Sequence, residues 1–185
     1  MRIIAGQWRT RPLEAPPGPG TRPTADRARE TLFSMLISRL GSFEGLTVLD
    51  LFAGSGALAL EALSRGASRA FLVEKDRAAR EAITANIAKF GAAAELVGND
   101  ARNLPTARLA CDLIFLDPPY GEAMATPALE SALAKGWISP SAWISVETGL
   151  KEIVDAPGFA VDTSRKVGKA MLHLLRPAAE QHAER

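Results

Sequence analysis

The chain has 185 residues, of which 47% are hydrophobic and 23% are charged, and its formal net charge is only +1. This composition suits one globular domain, and no apolar run approaches the roughly 20 residues of a membrane span or forms the core of a signal peptide, so we expect a cytoplasmic protein with no membrane partner. The single cysteine, Cys111, excludes an internal disulfide framework, and two distant histidines without a cysteine pair predict that there is no metal site.

The N-terminal segment differs in charge from the rest of the chain. Residues 1–29 contain six arginines against two acidic residues, a local charge of +4, and include a Pro/Gly cluster at 15–20. A basic leading segment is typical of proteins with a phosphate-bearing partner, although a solvated arm explains the charge equally well. We therefore predict a basic N-terminal arm or short hairpin within residues 1–23, a main domain over 24–176 and a polar tail over 177–185.

Hydrophobic periodicity predicts alternating helices and strands in the main domain. Thr24 is suited to cap the first helix and Gly41 to end it. Such alternation predicts an α/β fold with a seven-stranded, mainly parallel sheet and helices on both faces. The last two strands are too close for a crossover helix and should form an antiparallel hairpin at the sheet edge. The predicted helices cover 24–41, 57–65, 78–90 and 127–135, and the predicted strands cover 46–51, 70–74, 94–98, 112–116, 142–147, 159–163 and 170–175.

A glycine loop, Phe52-Ala53-Gly54-Ser55-Gly56, follows the first strand, and Asp50 precedes it. Its place between a strand and a helix is typical of a nucleotide-binding loop. Ala59 occupies the position of the third glycine of the dinucleotide fingerprint, and Ala57-Leu58 stand where a phosphate-binding Lys-Ser/Thr would be. The loop therefore favours a cofactor that is not bound mainly through phosphate groups. By itself the loop is also compatible with an ordinary tight turn.

Acidic residues follow the next two strands. Glu74 lies 18 residues past Gly56, where a carboxylate can accept hydrogen bonds from both hydroxyls of a ribose. Asp100 can accept a hydrogen bond from the exocyclic amine of an adenine, and the backbone N–H of Ala101 can donate one to a ring nitrogen. Each acid alone is most often an ordinary loop residue. Acids at the ends of consecutive strands, however, lie at one edge of the sheet and predict a pocket for an adenosine with a non-phosphate substituent.

The fourth strand leads into Asp117-Pro118-Pro119-Tyr120. Each proline removes a backbone donor and favours an extended conformation for the residue before it, so the carboxylate of Asp117 and the carbonyl of Pro118 stay free to accept hydrogen bonds. Two convergent acceptors suit an –NH2 group, and the ring of Tyr120 suits stacking on a planar base. A plain turn made of Asp and Pro is the alternative.

Taken together, these motifs resemble the S-adenosylmethionine-dependent amino-methyltransferases, and within them the bacterial 16S rRNA (guanine(966)-N2)-methyltransferase family. The resemblance covers about residues 1–176, with Thr10 standing where the family pattern has a glycine. The motifs of the superfamily are Asp50 to Leu58, Glu74, Asp100 and Asp117 to Tyr120, and those of the family are Ile3 to Arg9, Arg22-Pro23-Thr24, Arg27 and Arg29 to Phe33.

The resemblance implies a Rossmann-like class I methyltransferase domain over 24–176, S-adenosyl-L-methionine as cofactor, and 16S rRNA in the small ribosomal subunit or its assembly intermediate as partner of a monomeric enzyme. Asp117, Pro118, Pro119 and Tyr120 would hold the target base as catalytic residues. Arg2, Arg9, Arg11 and Arg27 would bind RNA phosphates. The implied cofactor-binding residues are Arg22, Thr24, Asp50, Phe52, Ala53, Gly54, Ser55, Gly56, Glu74, Lys75, Asp100, Ala101 and Asp117.

Two other functions remain open on the residues. The tetrapeptide does not exclude methylation of another amine, such as the N6 of adenine in DNA or a glutamine amide, although the absence of a separate target-recognition domain argues against sequence-specific methylation of DNA. A non-enzymatic RNA-binding assembly factor on an inactive methyltransferase fold is the third hypothesis, which the complete set of acids and the glycine loop disfavour.

Overall fold

The computed structural model describes residues 1–18 and 23–178. Among these residues no helix is both long and apolar enough to cross a membrane. In chain order the elements are α1 (Pro23–Leu40), β1 (Thr47–Asp50), α2 (Ala57–Ser64), β2 (Arg69–Val73), α3 (Arg77–Phe90), β3 (Ala94–Val97), β4 (Cys111–Leu116), α4 (Ala125–Ala134), β5 (Ile138–Gly149), β6 (Phe159–Val167) and β7 (Ala170–Pro177).

The seven strands form one sheet in the order β3-β2-β1-β4-β5-β7-β6. Strands β1 to β5 are parallel to one another, whereas β7 runs antiparallel between β5 and β6. The predicted fold class, with its antiparallel hairpin at the edge, is therefore confirmed. All five parallel strands point their carboxyl ends to the same edge of the sheet, which is where open α/β sheets bind ligands.

Alternate residues of the central strands face two separate apolar clusters. In β4, Leu113 and Phe115 join the cluster under α1, α2 and α3, while Ile114 and Leu116 join the cluster under α4. A strand buried on both faces has a continuous apolar sequence, as residues 113–116 do. The predicted helices on both faces are present.

Strand β5 is longer than predicted at both ends. Its first part pairs Ile138 with Cys111, an irregularity follows, and regular pairing with β4 resumes at Trp143. Beyond Glu147 it continues because Thr148 and Gly149 pair with β7. Both extensions depend on partners distant in sequence, so local periodicity does not reveal them.

The N-terminal arm folds back on itself as a hairpin. The backbone N–H of Ile3 donates to Arg11 O at 3.0 Å, that of Thr10 donates to Ile3 O at 2.9 Å, and that of Leu13 donates to Met1 O at 3.0 Å. Ile3 and Leu13 are buried in the main core. The sequence predicted an arm or short hairpin within residues 1–23, and the observed hairpin extends to Leu13. The division of the chain at residue 23 stays a prediction.

The arm is held by a buried carboxylate on α2. Glu61 has no exposed surface, and its two oxygens accept the backbone N–H groups of Ile4 at 2.8 Å and Ala5 at 3.0 Å. Arg65, one helical turn later, donates to the same carboxylate at 2.9 Å. The charge of Glu61 is therefore both paired and hydrogen-bonded, as burial of a carboxylate requires.

Two positions in the hairpin turn have left-handed backbone conformations. Gly6 has φ +86°, and a Cβ there would lie 1.9 Å from the carbonyl oxygen of Ser64 on α2, so only glycine fits. Thr10 has φ +68°, a region that a β-branched residue rarely adopts. This is the position where the family resemblance led us to expect a glycine.

One side-chain amide connects the arm to the glycine loop. Asn86 on α3 accepts the N–H of Glu14 at 2.8 Å and donates to the carbonyl of the same residue at 2.9 Å and to the carbonyl of Ser55 at 2.9 Å. The end of the arm and the loop before α2 are thus fixed by the same buried group.

Replacing Glu61 with alanine is expected to lower the free energy of unfolding by about 2–5 kcal/mol, because it leaves two backbone donors and the Arg65 guanidinium without their acceptor. Urea denaturation measures the change. The matched control is Glu81→Ala, which removes an exposed helical pair with Arg77 and should cost less than about 0.5 kcal/mol. Equal losses in the two variants would contradict the role assigned to Glu61.

Candidate active site

A pocket of about 690 Å³ opens at the carboxyl ends of the parallel strands. Each of the five strands supplies lining residues at or just beyond its end, as expected for an open α/β sheet. Four of the predicted site residues, Asp50, Ala53, Ser55 and Gly56, do not line it. The predicted residues that do line it are Phe52, Gly54, Glu74, Lys75, Asp100, Ala101, Asp117, Pro118, Pro119 and Tyr120.

The glycine loop packs closely against the sheet. Gly56 has φ +82°, and a Cβ there would lie 2.8 Å from the side chain of Leu72, so a larger residue would displace the loop. Ser55 is buried, with its hydroxyl 3.8 Å from the sulfur of Met1 rather than in the pocket. Of the loop, Phe52 and Gly54 therefore form the pocket wall, while Ser55 and Gly56 set the loop's position.

Glu74 is fixed in place by backbone donors. One carboxylate oxygen accepts the N–H of Gly54 at 3.0 Å, and the other accepts the N–H of Asp76 at 2.8 Å. Each oxygen of a carboxylate has two lone pairs, so both keep the capacity to accept a further hydrogen bond from a ligand. The side chain is thus held in one orientation and ties the glycine loop to the end of β2, while its predicted role as acceptor for a ribose diol stays a prediction.

Asp100 forms an ion pair that the sequence did not reveal. Arg102 donates to it through its guanidinium at 2.9 and 2.7 Å and through its backbone N–H at 3.0 Å, and Lys75 lies 3.4 Å away. Hydrogen bonds and the positive charge of Arg102 hold the pKa of Asp100 well below its usual range. For Asp100 to accept an adenine amine, Arg102 must share or release the carboxylate.

All four residues of the tetrapeptide after β4 line the pocket. Pro118 is buried, whereas Asp117, Pro119 and Tyr120 are exposed on the lining. The Tyr120 side chain is 53% exposed, which leaves its ring available for stacking. Its hydroxyl donates a hydrogen bond to Glu147, which holds the ring over the pocket.

Glu147 is a lining residue that the sequence analysis did not single out. It follows Val146, which pairs with Leu116 just before Asp117, so the two acids occupy neighbouring positions on adjacent strands. The sequence did contain an indication, because the predicted fifth strand also ended in an acid at the same sheet edge.

Three carboxyl groups near the strand ends have raised pKa values. Asp50 is only 1% exposed, and neither oxygen makes a hydrogen bond of normal geometry within the described part of the chain. Burial raises the pKa of Asp50 to about 7, against a partial opposing effect of the nearby Phe52 and Ala59 amides. Loss of solvation in the concave pocket likewise raises the pKa of Asp117, to which the charge of Glu147 adds, and burial raises the pKa of Glu147.

The carboxylates make the pocket strongly acidic. Glu74, Asp100, Asp117, Glu122 and Glu147 line it, and Lys75 is the one basic residue among the described lining residues. Such a lining attracts a cationic ligand and repels phosphate groups. Within the described residues, no group of three or more His, Cys, Asp or Glu side chains is arranged to hold a metal ion.

The predicted RNA-binding arginines differ in their surroundings. Arg2, Arg9 and Arg27 are exposed, whereas Arg11 lies 4.4 Å from the ring centre of Phe90 and donates to the Lys89 carbonyl at 2.8 Å. Arg11 therefore already has intramolecular contacts. Arg22 and the side chain of Thr24 lie outside the described residues, so their predicted place beside the cofactor stays a prediction.

Comparison with known families finds one match over most of the chain. The sequence profile of the family described as conserved hypothetical protein 95 matches residues 1–176. The protein named ribosomal RNA small subunit methyltransferase D of Escherichia coli strain K12 is 41% identical over 150 residues, which cover 80% of this chain and 74% of that protein. Its namesake from Haemophilus influenzae is 36% identical over 154 residues, covering 80% of this chain and 78% of that protein.

Solved structures include proteins with the same architecture. A putative methyltransferase yhhF from Escherichia coli superposes with a TM-score of 0.82 at 33% identity, covering 96% of this chain and 97% of that one. The superposition therefore covers nearly the whole length of both chains.

Asp50→Asn is expected to raise the stability of the protein at pH 8 and to flatten its pH dependence between about pH 4 and pH 7. The folded-state pKa of Asp50 is raised to about 7, so the folded protein keeps a proton that the unfolded chain releases above about pH 4. The contribution of Asp50 to the free energy of unfolding of the wild type is therefore complete below about pH 4. It falls by at most about 1.4 kcal/mol per pH unit as the pH rises to about 7.

Denaturant unfolding at several pH values measures this difference between wild type and Asp50→Asn. Asp117 and Glu147 are present in both proteins, so their direct contributions cancel in the difference. The charge of Asp50 also raises the pKa of Asp117, and the loss of that effect is part of the measured change. The control is Asp162→Asn, which removes a carboxylate from a partly exposed pair with Arg39 and should leave the slope unchanged. If Asp50→Asn follows the wild-type curve at every pH, Asp50 is not protonated in the folded state.

Proposed function

We propose, from the premise that the chain belongs to the conserved hypothetical protein 95 family, that it transfers a methyl group from S-adenosyl-L-methionine to the exocyclic N2 amine of guanine 966 in 16S rRNA of the small ribosomal subunit. The observation that carries the proposal is that Asp117, Pro118 and Tyr120 line the same pocket as Glu74 and Asp100. Amine-holding and adenosine-holding groups thus meet in one cavity. We further propose that the enzyme acts as a cytoplasmic monomer on the subunit or its assembly intermediate.

The pocket fits S-adenosyl-L-methionine in size and charge. Its volume of about 690 Å³ is typical of a small-molecule site, and its acidic lining favours a ligand with a sulfonium and an ammonium group over one with phosphates. Glu74 would accept hydrogen bonds from the ribose hydroxyls, and Asp100 would accept one from the adenine amine. Phe52 and Gly54 would form the wall beneath the cofactor. The bound cofactor supplies an electrophilic methyl group, whose bond to sulfur breaks as the amine nitrogen takes the methyl and the sulfur keeps the electron pair.

The tetrapeptide prepares the amine for this transfer. The nitrogen lone pair of guanine N2 is delocalised into the ring, which makes it a weak nucleophile. The carboxylate of Asp117 and the carbonyl of Pro118 accept its two N–H groups and favour a more tetrahedral nitrogen, and Tyr120 stacks on the ring. Catalysis then depends on positioning and electrostatics. The surplus proton leaves through Asp117 to water, a role that its raised pKa suits.

The RNA must reach an acidic pocket against electrostatic repulsion. The exposed Arg2, Arg9 and Arg27 would bind phosphates outside it and supply the attraction. The target guanine has to leave its stack to enter the pocket, as in other base-modifying enzymes. The relatives named for small subunit rRNA methylation support 16S rRNA as the substrate.

Mass mapping of 16S rRNA from cells with and without the gene tests the proposal. The expected result is one N2-methylguanine, at position 966, that disappears with the gene and returns when purified enzyme and cofactor are added to small subunits. Naked DNA should accept no methyl group under the same conditions. Unchanged 16S rRNA, or methylation of DNA adenine, would reject the proposal.

Asp117→Ala is expected to lower the methyl transfer rate by at least about 100-fold, because the amine loses a hydrogen bond to Asp117 that becomes stronger in the transition state. Its affinity for S-adenosyl-L-methionine, measured by calorimetry, should stay within a few fold of wild type. Glu74→Ala should show the opposite pattern, with cofactor affinity about 10-fold or more lower. An Asp117→Ala enzyme that retains its activity would refute the assigned role.

A further inference from the structure

Glu147 lies at the side of Asp117 in the amine-binding corner. Strands β4 and β5 are parallel, and Leu116 pairs with Val146. The next residues, Asp117 and Glu147, are therefore neighbours on adjacent strands, whose backbones lie about 5 Å apart. Side chains at paired positions point to the same face of a sheet. Both acids line the large pocket and also a smaller cavity of about 120 Å³ beside α1.

One oxygen of Glu147 has a partner and the other does not. The hydroxyl of Tyr120 donates to Oε1, which fixes the carboxylate relative to the stacking ring. Among the described residues none donates a hydrogen bond to Oε2. A group that lies flat on the ring of Tyr120 with its edge toward Asp117 therefore meets an oriented acceptor at Glu147.

Purine bases differ at the position that this acceptor would meet. Guanine has an N1–H donor directly beside its N2 amine. Adenine has a ring nitrogen with a lone pair beside its N6 amine, and so does 2-aminopurine beside its N2 amine. Enzymes that take a base out of its stack read it through such hydrogen bonds on the Watson–Crick edge.

We propose that Glu147 accepts the N1–H of the target guanine while Asp117 and the Pro118 carbonyl hold the N2 amine, so that Glu147 selects guanine among bases with an exocyclic amine. The inference rests on the proposed function. Guanine brings three donors to three acceptors of this corner. Adenine would bring two donors and place its N1 lone pair against a carboxylate, which is repulsive and leaves the acceptor unpaired.

The electrostatics of the corner favour a donor at this point. Neither Asp117 nor Glu147 forms an ion pair within the residues described. Poor solvation raises both pKa values, and repulsion from the charge of Glu147 adds to the rise at Asp117. An N–H group that enters beside them relieves part of that repulsion, whereas a second lone pair increases it. Sites built to hydrogen-bond an N–H reject analogues that lack it by large factors.

The test compares two RNA substrates that both carry the N2 amine. Small subunits are reconstituted with 16S rRNA containing either guanine or 2-aminopurine at the methylated position, and single-turnover rates are measured at saturating cofactor. Wild type should prefer guanine by at least about 100-fold. Glu147→Gln should reduce this preference at least about 10-fold, since its amide can donate to the ring nitrogen of 2-aminopurine.

Two variants control for indirect effects. Tyr120→Phe keeps the ring but removes the hydrogen bond to Glu147, and Glu122→Gln removes another carboxylate from the same lining. Glu122→Gln should keep the wild-type preference, and Tyr120→Phe should reduce it much less than Glu147→Gln does, even where their rates fall. If Tyr120→Phe loses the preference as Glu147→Gln does, Glu147 acts only through Tyr120 and the inference is wrong.

The remaining outcomes separate the inference from the function on which it rests. Wild-type preference in Glu147→Gln overturns the inference alone. A Glu147→Gln variant that binds S-adenosyl-L-methionine more than about 10-fold more weakly, measured by calorimetry, would place the residue at the cofactor and also overturn it. A wild-type enzyme that methylates neither substrate overturns the proposed function and the inference together.

Discussion

The register of the parallel sheet is the constraint on which the site depends. Pairing of Asp50 with Phe115 and of Leu116 with Val146 fixes which face each acid occupies at the strand ends. A slip of one residue would turn Asp117 or Glu147 to the opposite face, and would also expose side chains that are now fully buried. The same apolar alternation that forms the two clusters therefore positions the carboxylates.

The site concentrates charge where the protein gains no stability from it. Asp50 is buried without a hydrogen-bond partner among the described residues, and Asp117 and Glu147 repel each other beside it. A fold selected for stability alone would place apolar or paired groups there. Groups held in such an unfavourable environment are typical of sites whose ligand supplies the missing partners. The exposed arginines Arg2, Arg9 and Arg27 carry the opposite charge, so the proposed RNA contacts and the proposed cofactor site lie on different parts of the chain.

Local sequence patterns predicted the fold class, the glycine loop and the acids at the strand ends, because each depends on residues close in sequence. The buried strand before Asp117 was recognisable from its continuous apolar run. Contacts between distant segments were not predictable in this way. The sequence around Glu61 predicts an apolar helix with one acidic residue. Nothing near Glu61 in sequence indicates that its carboxylate binds the backbone amides of Ile4 and Ala5. The pairing of Asp100 with Arg102 and of Tyr120 with Glu147 likewise required the folded loops.

The left-handed conformation of Thr10 has a consequence for how the hairpin tip is maintained. A β-branched residue in this conformation costs on the order of 1–2 kcal/mol, so Thr10 opposes the turn that it occupies. The turn is dictated by its anchors instead: the N–H of Gln7 is bound to Ser64 on α2, the guanidinium of Arg11 to Lys89 on α3, and the N–H of Thr10 to Ile3. The shape of this tip is thus imposed from outside, and the identity of residue 10 is free to vary at a modest energetic penalty.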